Sequence, residues 1–183
     1  MTRTLVLGGA RSGKSRHAEA LLARHDVVTY VAPGPPVDDA DPEWRQRVER
    51  HRARRPHAWR TAETGDVAAV LRTADSPVLV DCLATWLTRV VDDVDGWRRP
   101  DGVSAHVAER TEDLLAAWRS AACDVVAVTN EVGMAVVPAT ASGRLFRDEL
   151  GRLNAAVSAA SERVHLVVAG RVLDLSACPV VGP

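Results

Sequence analysis

The chain has 183 residues, of which 46% are hydrophobic and 26% are charged, and this composition predicts one globular domain over residues 1–183. The formal net charge of −1 argues against a nucleic-acid-binding surface, because domains of that kind carry a strong basic excess. Cys82, Cys123 and Cys178 are far apart and form no C-x-x-C pair, which predicts reduced thiols in a cytoplasmic protein without disulfides or a zinc site. A strand is predicted almost at the N-terminus, so we expect no signal peptide, and no apolar run approaches membrane-spanning length, so we expect no membrane span.

The first predicted element is a short apolar strand, residues 4–7, which runs directly into a glycine-rich loop. Residues 8–15 match the pattern G-x-x-x-x-G-K-[ST] of a phosphate-binding loop, or P-loop. Its glycines allow backbone N–H groups to turn towards phosphate oxygens, and the helix that follows directs its positive end to the same place. The sequence therefore predicts a nucleoside triphosphate site at Gly8, Gly9, Ala10, Arg11, Ser12, Gly13, Lys14 and Ser15.

Two side chains of the P-loop have individual predicted roles. Lys14 is the only lysine of the sequence, and its compact ammonium group is expected to bind the β- and γ-phosphates. The Ser15 hydroxyl is expected to bind Mg²⁺. Because no second lysine exists, the chain cannot contain the Asn-Lys-x-Asp element of guanine-binding switch proteins, which excludes a regulatory GTPase.

The remaining elements alternate between strand and helix. Strands are predicted at residues 27–32, 78–81, 124–129 and 164–169, with residues 172–175 as an edge partner after a Gly170-Arg171 turn. Helices are predicted at residues 14–24, 43–54, 67–73, 83–91, 103–120 and 143–160, and loops at residues 33–36 and 92–102. This alternation predicts an α/β fold of the P-loop NTPase type, RecA-like, with a mostly parallel sheet covered by helices on both faces.

Polar residues follow two of the predicted strands, at the carboxyl edge of the sheet where ligands collect. Asp81 ends the apolar strand 78–81 and is predicted to hold Mg²⁺ together with Ser15, directly or through water. Asn130 and Glu131 follow the strand 124–129. Glu131 is either a solvated residue of a polar turn or a residue that faces the phosphates or the acceptor hydroxyl, with general base as one role there, and the sequence leaves both interpretations open.

Residues 44–60 form a basic segment that contains seven arginines and His51. Three interpretations are open: a solvated helix face, a nucleic-acid patch, or arginines that contact phosphate at a second triphosphate-handling site. Histidine nucleophiles are a minority class. The residues alone therefore leave His51 as either an exposed helix residue or a nucleophile.

Four motifs that follow one another along the chain carry a resemblance to a known family. They are Gly-Gly-Ala-Arg-Ser-Gly-Lys-Ser-Arg-His-Ala-Glu at residues 8–19, Arg47-x-x-x-His51-x-x-x-Arg55-Pro56-x-x-Trp59-x-Thr61-x-Glu63, Thr129-Asn130-Glu131-Val132-Gly133, and Arg144-x-Phe146-Arg147-Asp148-x-x-Gly151-x-x-Asn154. Together they resemble the bifunctional adenosylcobinamide kinase / adenosylcobinamide-phosphate guanylyltransferase of cobalamin biosynthesis. The resemblance covers nearly the whole chain. It implies phosphorylation of adenosylcobinamide by ATP or GTP, followed by transfer of GMP from GTP to adenosylcobinamide phosphate.

The resemblance also implies which residues carry these reactions. His51, rather than His57 in the same basic segment, would hold GMP covalently as a guanylylated histidine. Besides the P-loop, the nucleotide-contacting positions would be Ala32, Pro33, Gly34, Arg52, Ala53, Arg54, Arg55, Glu63 and Asp81. The implied substrates are GTP, ATP and a corrinoid, the implied cofactor is Mg²⁺, and the implied assembly is a homotrimer.

The sequence leaves three other functions open. They are a small-molecule kinase without nucleotidyl transfer, a nucleic-acid-associated ATPase that uses the face of residues 45–60, and a nucleotide-sensing module without turnover. Trp86 and Trp97 are candidates for contact with the corrinoid, but core packing is the expected place of both.

Overall fold

The computed structural model describes residues 1–35 and 42–181. The strands are β1 (Arg3–Gly8), β2 (Thr29–Val31), β3 (Arg60–Ala62), β4 (Val78–Asp81), β5 (Val125–Asn130), β6 (Arg163–Val168) and β7 (Arg171–Asp174). The helices are α1 (Lys14–Leu21), α2 (Pro42–Arg54), α3 (Val67–Thr73), α4 (Leu83–Asp92), α5 (Val103–Ser120) and α6 (Ala141–Ala159).

All of these strands pair in one sheet, in the order β3-β2-β4-β5-β1-β6-β7. Neighbouring strands are parallel except for β7, which is antiparallel to β6. In β4 and β5, successive side chains point to opposite faces of the sheet and yet are buried from Val78 to Val80 and from Val125 to Thr129, so both faces are covered. The predicted α/β fold with a mostly parallel sheet is thus confirmed. Within the described residues, no helix combines the length and the apolarity needed to cross a membrane.

The predicted elements agree closely with those of the structure. The predictions at residues 67–73, 78–81 and 103–120 have the observed boundaries, and the others differ by a few residues. The predicted edge strand is β7, and the turn before it contains Ala169 and Gly170, whose φ angles are 49° and 75°. The predicted loop at residues 33–36 has no regular structure from Pro33 to Pro35, and its last residue, Pro36, lies outside the described residues.

The strand β3 (Arg60–Ala62) is the one element of the described chain that the sequence did not predict. It has three residues, of which Arg60 and Thr61 are exposed. Such a short, polar and exposed segment shows no apolar alternation. It becomes a strand because its backbone pairs with β2, which is a tertiary contact.

The start of β1 is held against the start of β6 by a pair of charged side chains. The backbone N–H of Arg3 donates to Glu162 Oε2 at 2.7 Å, and Arg3 Nε donates to Glu162 Oε1 at 2.9 Å. Arg3 also donates to the backbone oxygen of Arg119 at 2.6 Å. The side-chain hydrogen bond from Arg3 lowers the pKa of Glu162 from 4.5 to about 2.

Replacement of Glu162 by glutamine is expected to lower the free energy of unfolding at pH 7 by about 1 kcal/mol, a modest value because the side chains are partly exposed. The folded-state pKa is depressed, so the carboxylate contributes fully above pH 4.5 and its contribution disappears as the pH falls to about 2. Urea unfolding of both proteins across this range measures the difference. Glu109→Gln, at an exposed position of α5, serves as the control. A difference that stays constant down to pH 2 would contradict the assignment.

Candidate active site

The P-loop connects the end of β1 to the start of α1. Arg11 and Gly13 have positive φ angles of 57° and 100°, which bend the backbone around the loop. The N–H of Ser12 donates to Gly9 O at 3.3 Å within the loop. The N–H of Gly170, in the turn between β6 and β7, donates to Ser12 O at 3.0 Å and braces the loop from outside.

Gly8 lies where β1 meets the P-loop, and the space around it is closed. A Cβ atom at this position would lie 2.5 Å from the backbone oxygen of Val167 and 2.6 Å from Ser12 Oγ. At Gly9, no atom of the described residues lies within 4 Å of such a Cβ, apart from the glycine itself and its two chain neighbours. Close packing therefore requires glycine at residue 8 but not at residue 9.

Gly8→Ala is expected to lower the free energy of unfolding by about 1–3 kcal/mol, because the main chain of β6 would have to move away from the added methyl group. Gly9→Ala is the matched control, and its effect is expected to stay within about 0.5 kcal/mol. Urea unfolding without nucleotide separates this packing effect from phosphate binding. Equal destabilisation by the two substitutions would contradict the close packing at Gly8.

The P-loop forms one wall of a cleft of about 620 Å³. The cleft is lined by Ala10, Arg11, Ser12, Gly13, Lys14, Ser15, Arg16, Arg50, His51, Asn130 and Gly170. Among the described residues, this lining contains an ammonium and three guanidinium groups and no carboxylate. Ser12 Oγ and Asn130 Oδ1 are buried and have no hydrogen-bond partner in the described part of the chain. A ligand that is anionic and rich in oxygen suits both the charge and the unpaired polar atoms.

Lys14 is held inside the loop that precedes it. Its side chain is buried, and Nζ donates a hydrogen bond to the backbone oxygen of Gly9 at 3.0 Å. This contact keeps the ammonium group at the base of the cleft. A point charge with several donors, placed there, can move to a phosphate oxygen without moving the backbone.

His51 reaches the same cleft from α2, a separate helix. Its Nδ1 atom lies 3.2 Å from Asp81 Oδ2 at the end of β4. Tyr30, on β2, donates its hydroxyl hydrogen to the same Asp81 oxygen at 2.9 Å, and its oxygen lies 3.5 Å from His51 Nδ1. These contacts join an imidazole, a carboxylate and a phenol from three elements of the fold.

The pKa values of Asp81 and Tyr30 are set by burial and by the interactions around these two groups. Burial alone would raise the pKa of Asp81, but the contacts with His51, Tyr30 and Ser15 and the charge interaction with His51 outweigh it and lower the pKa. Burial, followed by the negative field of Asp81, raises the pKa of Tyr30. At neutral pH the pair is therefore a carboxylate and a protonated phenol.

Ser15 and Asp81 fit the magnesium site that the sequence predicts. The Ser15 side chain is one of the groups that lower the pKa of Asp81, so a hydroxyl and a carboxylate lie near each other beside the P-loop. Oxygen donors of this kind suit Mg²⁺. The described residues contain no group of three or more histidine, cysteine or acidic side chains that would hold a metal alone. Phosphate oxygens and water would therefore complete the coordination of such an ion.

The other predicted nucleotide-contacting residues lie near α2 but outside the lining of this cleft. Arg52 and Glu63 are exposed and form an ion pair with each other. Arg55 donates to the backbone oxygen of His51 at 3.1 Å and lies over the Tyr30 ring, with its Cζ atom 3.4 Å from the ring centroid. Ala53 is exposed on α2.

The segment after β2 contributes little to the lining. The N–H of Ala32 is committed to Ala62 O at 2.9 Å, and Pro33, which is buried, has no N–H. Gly34 is half-buried. The side chain of Arg54, another predicted contact, lies outside the described part of the structure.

Local contacts show where Glu131 and the two tryptophans lie. Glu131 Oε1 accepts a hydrogen bond from the N–H of Gly133 at 2.6 Å, as expected of a polar turn. Trp86 is buried and donates its Nε1–H to Gly65 O at 3.1 Å, and Trp97 packs against Phe146 at the edge of the core. Core packing is therefore the place of both tryptophans.

Three residues of this site were not among those singled out from the sequence. Tyr30 occurs in an apolar segment whose pattern predicts a core strand. The one feature that distinguishes this residue in the sequence is that it is the sole tyrosine. Arg16 and Arg50 belong to arginine-rich stretches in which no single position is distinguished. Their places depend on how α1 and α2 face each other across the cleft.

The P-loop between a parallel strand and a helix, with its buried lysine and a positively charged cleft beside it, defines a P-loop nucleotide-binding protein. Residues 4–175 match the family model CobU, described as cobinamide kinase / cobinamide phosphate guanyltransferase, and the chain belongs to this family of bifunctional enzymes. The family resemblance found in the sequence is thereby confirmed.

Curated relatives match over nearly their whole length. The bifunctional adenosylcobalamin biosynthesis protein CobU of Escherichia coli (strain K12) is 42% identical over 175 residues, covering 91% of this chain and 95% of the relative. The bifunctional adenosylcobalamin biosynthesis protein CobP of Pseudomonas aeruginosa is 41% identical over 183 residues, covering 97% and 99%. Among solved structures, the P4 protein from bacteriophage phi6 in complex with ADP has a TM-score of 0.45 and 18% identity, covering 93% of this chain and 52% of that protein.

Proposed function

We propose that this chain carries out both reactions of its family as one domain and in one cleft. In the first, the γ-phosphoryl group of ATP or GTP passes to the aminopropanol hydroxyl of adenosylcobinamide. In the second, His51 takes GMP from GTP with release of pyrophosphate, and the GMP passes to adenosylcobinamide phosphate to give adenosylcobinamide-GDP. The observation that carries the proposal is that His51 and the P-loop line the same cleft.

The electrostatics of the cleft suit both displacements. Backbone N–H groups of the P-loop, Lys14 and the guanidinium groups of Arg11, Arg16 and Arg50 would bind the triphosphate and stabilise charge on the leaving group. Ser15 and Asp81 would hold Mg²⁺. When bound, this ion supplies positive charge to the phosphate oxygens.

The nucleotide-contacting role of the residues near α2 is also part of the proposal. Arg52 and Glu63 form an ion pair with each other, so each would exchange this partner for a group of the nucleotide when the nucleotide binds. Contact with the nucleotide is also proposed for the next residues along the chain, Ala53, Arg54 and Arg55. At the segment of Ala32, Pro33 and Gly34, the N–H of Gly34 is the donor left for such a contact.

We also propose a cytoplasmic homotrimer with no nucleic acid partner. Met134, Val136 and Val137 are strongly exposed in the loop before α6, with 84%, 91% and 61% of their surface accessible, and contact between copies of the chain would cover such a surface. Light scattering after size-exclusion chromatography tests the trimer. A monomer at micromolar concentration would contradict it.

Incubation of the wild-type protein with GTP radiolabelled at the α-phosphorus tests the central step. The expected result is protein-bound label that is stable to base and labile to acid, as a phosphorus–nitrogen bond is. Addition of adenosylcobinamide phosphate should release the label as adenosylcobinamide-GDP. A protein that transfers the γ-phosphoryl group to adenosylcobinamide but never takes up α-label would be a plain kinase, and the proposal would be wrong.

A further inference from the structure

Three side chains link the interior of the sheet to the ring of His51. Tyr30 projects from β2, Asp81 ends β4, the neighbouring strand, and His51 lies on α2. The Tyr30 side chain is buried, the Asp81 side chain is 7% exposed and the His51 side chain is 20% exposed. Exposure thus increases along the series from the phenol to the imidazole, which borders the cleft.

The hydrogens in this arrangement can be assigned from donors and acceptors alone. The Tyr30 hydroxyl has one hydrogen, which it donates to Asp81 Oδ2 at 2.9 Å. The same oxygen lies 3.2 Å from His51 Nδ1, and a carboxylate oxygen only accepts. Nδ1 must therefore carry the hydrogen, and in a neutral imidazole the lone pair then lies on Nε2.

A fourth side chain holds the arrangement in place. The Arg55 guanidinium group stacks on the Tyr30 ring, with its Cζ atom 3.4 Å from the centroid, and its Nε donates to the backbone oxygen of His51 at 3.1 Å. One arginine thus ties the strand that carries the phenol to the helix that carries the imidazole. A ring held at one nitrogen, on a braced helix, has little freedom to present the other edge.

We propose that GMP becomes attached to Nε2 of His51, and that Tyr30 is a positioning residue that acts through Asp81 to hold the ring in this orientation. The proposal rests on the guanylyl transfer proposed above. His51 is the catalytic residue, and Tyr30 does not touch the nucleotide.

The electron balance agrees with this assignment. The lone pair of Nε2 forms a bond to the α-phosphorus of GTP, while the bond from that phosphorus to the oxygen bridging to the β-phosphorus breaks, and pyrophosphate leaves with the electron pair. The ring becomes cationic, keeps its Nδ1 hydrogen and remains paired with the Asp81 carboxylate. In the second half, a phosphate oxygen of adenosylcobinamide phosphate bonds to the phosphorus, and the electron pair of the phosphorus–nitrogen bond returns to Nε2.

The nitrogen that carries the label can be identified without any substitution. Wild-type protein with ¹⁵N-labelled histidine is guanylylated with GTP, and the coupling of phosphorus to the ring nitrogens is measured by NMR. The expected result is attachment at Nε2 alone. Attachment at Nδ1 overturns the assignment and leaves the proposed function intact, whereas a wild-type protein that takes up no GMP overturns both.

The role of Tyr30 is tested by Tyr30→Phe, which removes one hydroxyl and keeps the ring. The single-turnover rate of guanylylation is expected to fall about 10- to 100-fold, with the apparent KM for GTP changed by less than about two-fold and some of the GMP now on Nδ1. Thr29→Val is the matched control, because it removes a hydroxyl of the same strand that contacts Ser76 and not Asp81. If Tyr30→Phe reacts at the wild-type rate and only at Nε2, Tyr30 has no positioning role.

Discussion

Replacement of His51 by alanine is expected to abolish uptake of label from GTP radiolabelled at the α-phosphorus, while the phosphorylation of adenosylcobinamide stays within about three-fold of the wild-type rate. The reason is chemical: alanine offers no lone pair to the α-phosphorus, so the covalent intermediate cannot form. The kinase step does not need that intermediate. His51 is also partly exposed and borders the cleft, so its loss leaves no cavity inside the core.

His57→Ala is the matched control for this experiment. His57 is an exposed histidine of the same basic segment, six residues further along the chain. It should take up label at the wild-type rate. If His51→Ala is labelled normally while His57→Ala is not, the nucleophile has been assigned to the wrong histidine. Loss of label in both variants would point to damage to the basic segment and would also contradict the assignment.

Lys14→Met is expected to lower both kinase and guanylyl-transfer rates by about 100- to 1,000-fold, because both reactions build up negative charge on phosphate oxygens at the P-loop. Its side chain is buried and its Nζ atom bonds to Gly9 O, so the ammonium group sits inside the loop. Lys14→Arg should recover little, since a planar guanidinium group is larger and cannot occupy the same space.

Turnover of ATP with adenosylcobinamide and covalent labelling by GTP measure the two losses in one preparation. Urea unfolding of Lys14→Met, compared with wild type, shows whether the variant is folded. A folded Lys14→Met protein that keeps wild-type activity in either reaction would contradict a shared phosphate site. The contrast with His51→Ala is the informative part, since one substitution should remove one reaction and the other should remove both.

Features that are determined by consecutive residues of the chain were predictable from the sequence. The P-loop is one glycine-rich stretch between a strand and a helix. The strand, the loop and the helix each occupy one continuous segment of the sequence. Helices such as α3 and α5 show their apolar spacing within one segment and have the predicted boundaries. The strand β3, by contrast, exists only through its pairing with β2, and no pattern in its own residues indicates it.

The contacts around His51 depend on the order of strands in the sheet, which the sequence pattern does not indicate. Tyr30 and Asp81 are 51 residues apart and meet because β2 and β4 are neighbours in the sheet. The family resemblance implied that His51 is the nucleophile and that Asp81 contacts nucleotide, but it implied no contact between them. The pairing of Arg52 with Glu63, two residues both expected to contact nucleotide, was likewise visible only in three dimensions.

The Asp81 carboxylate interacts with both Ser15 and His51, and this sharing limits how the two activities can be separated in evolution. Under the proposed function, a kinase-only descendant is one substitution away, because the imidazole can be lost while the triphosphate site stays whole. A transferase-only descendant has no comparable route, since Lys14, Ser15 and Asp81 would serve any triphosphate that enters the cleft. Specialisation in this lineage would therefore proceed far more readily in one direction than in the other.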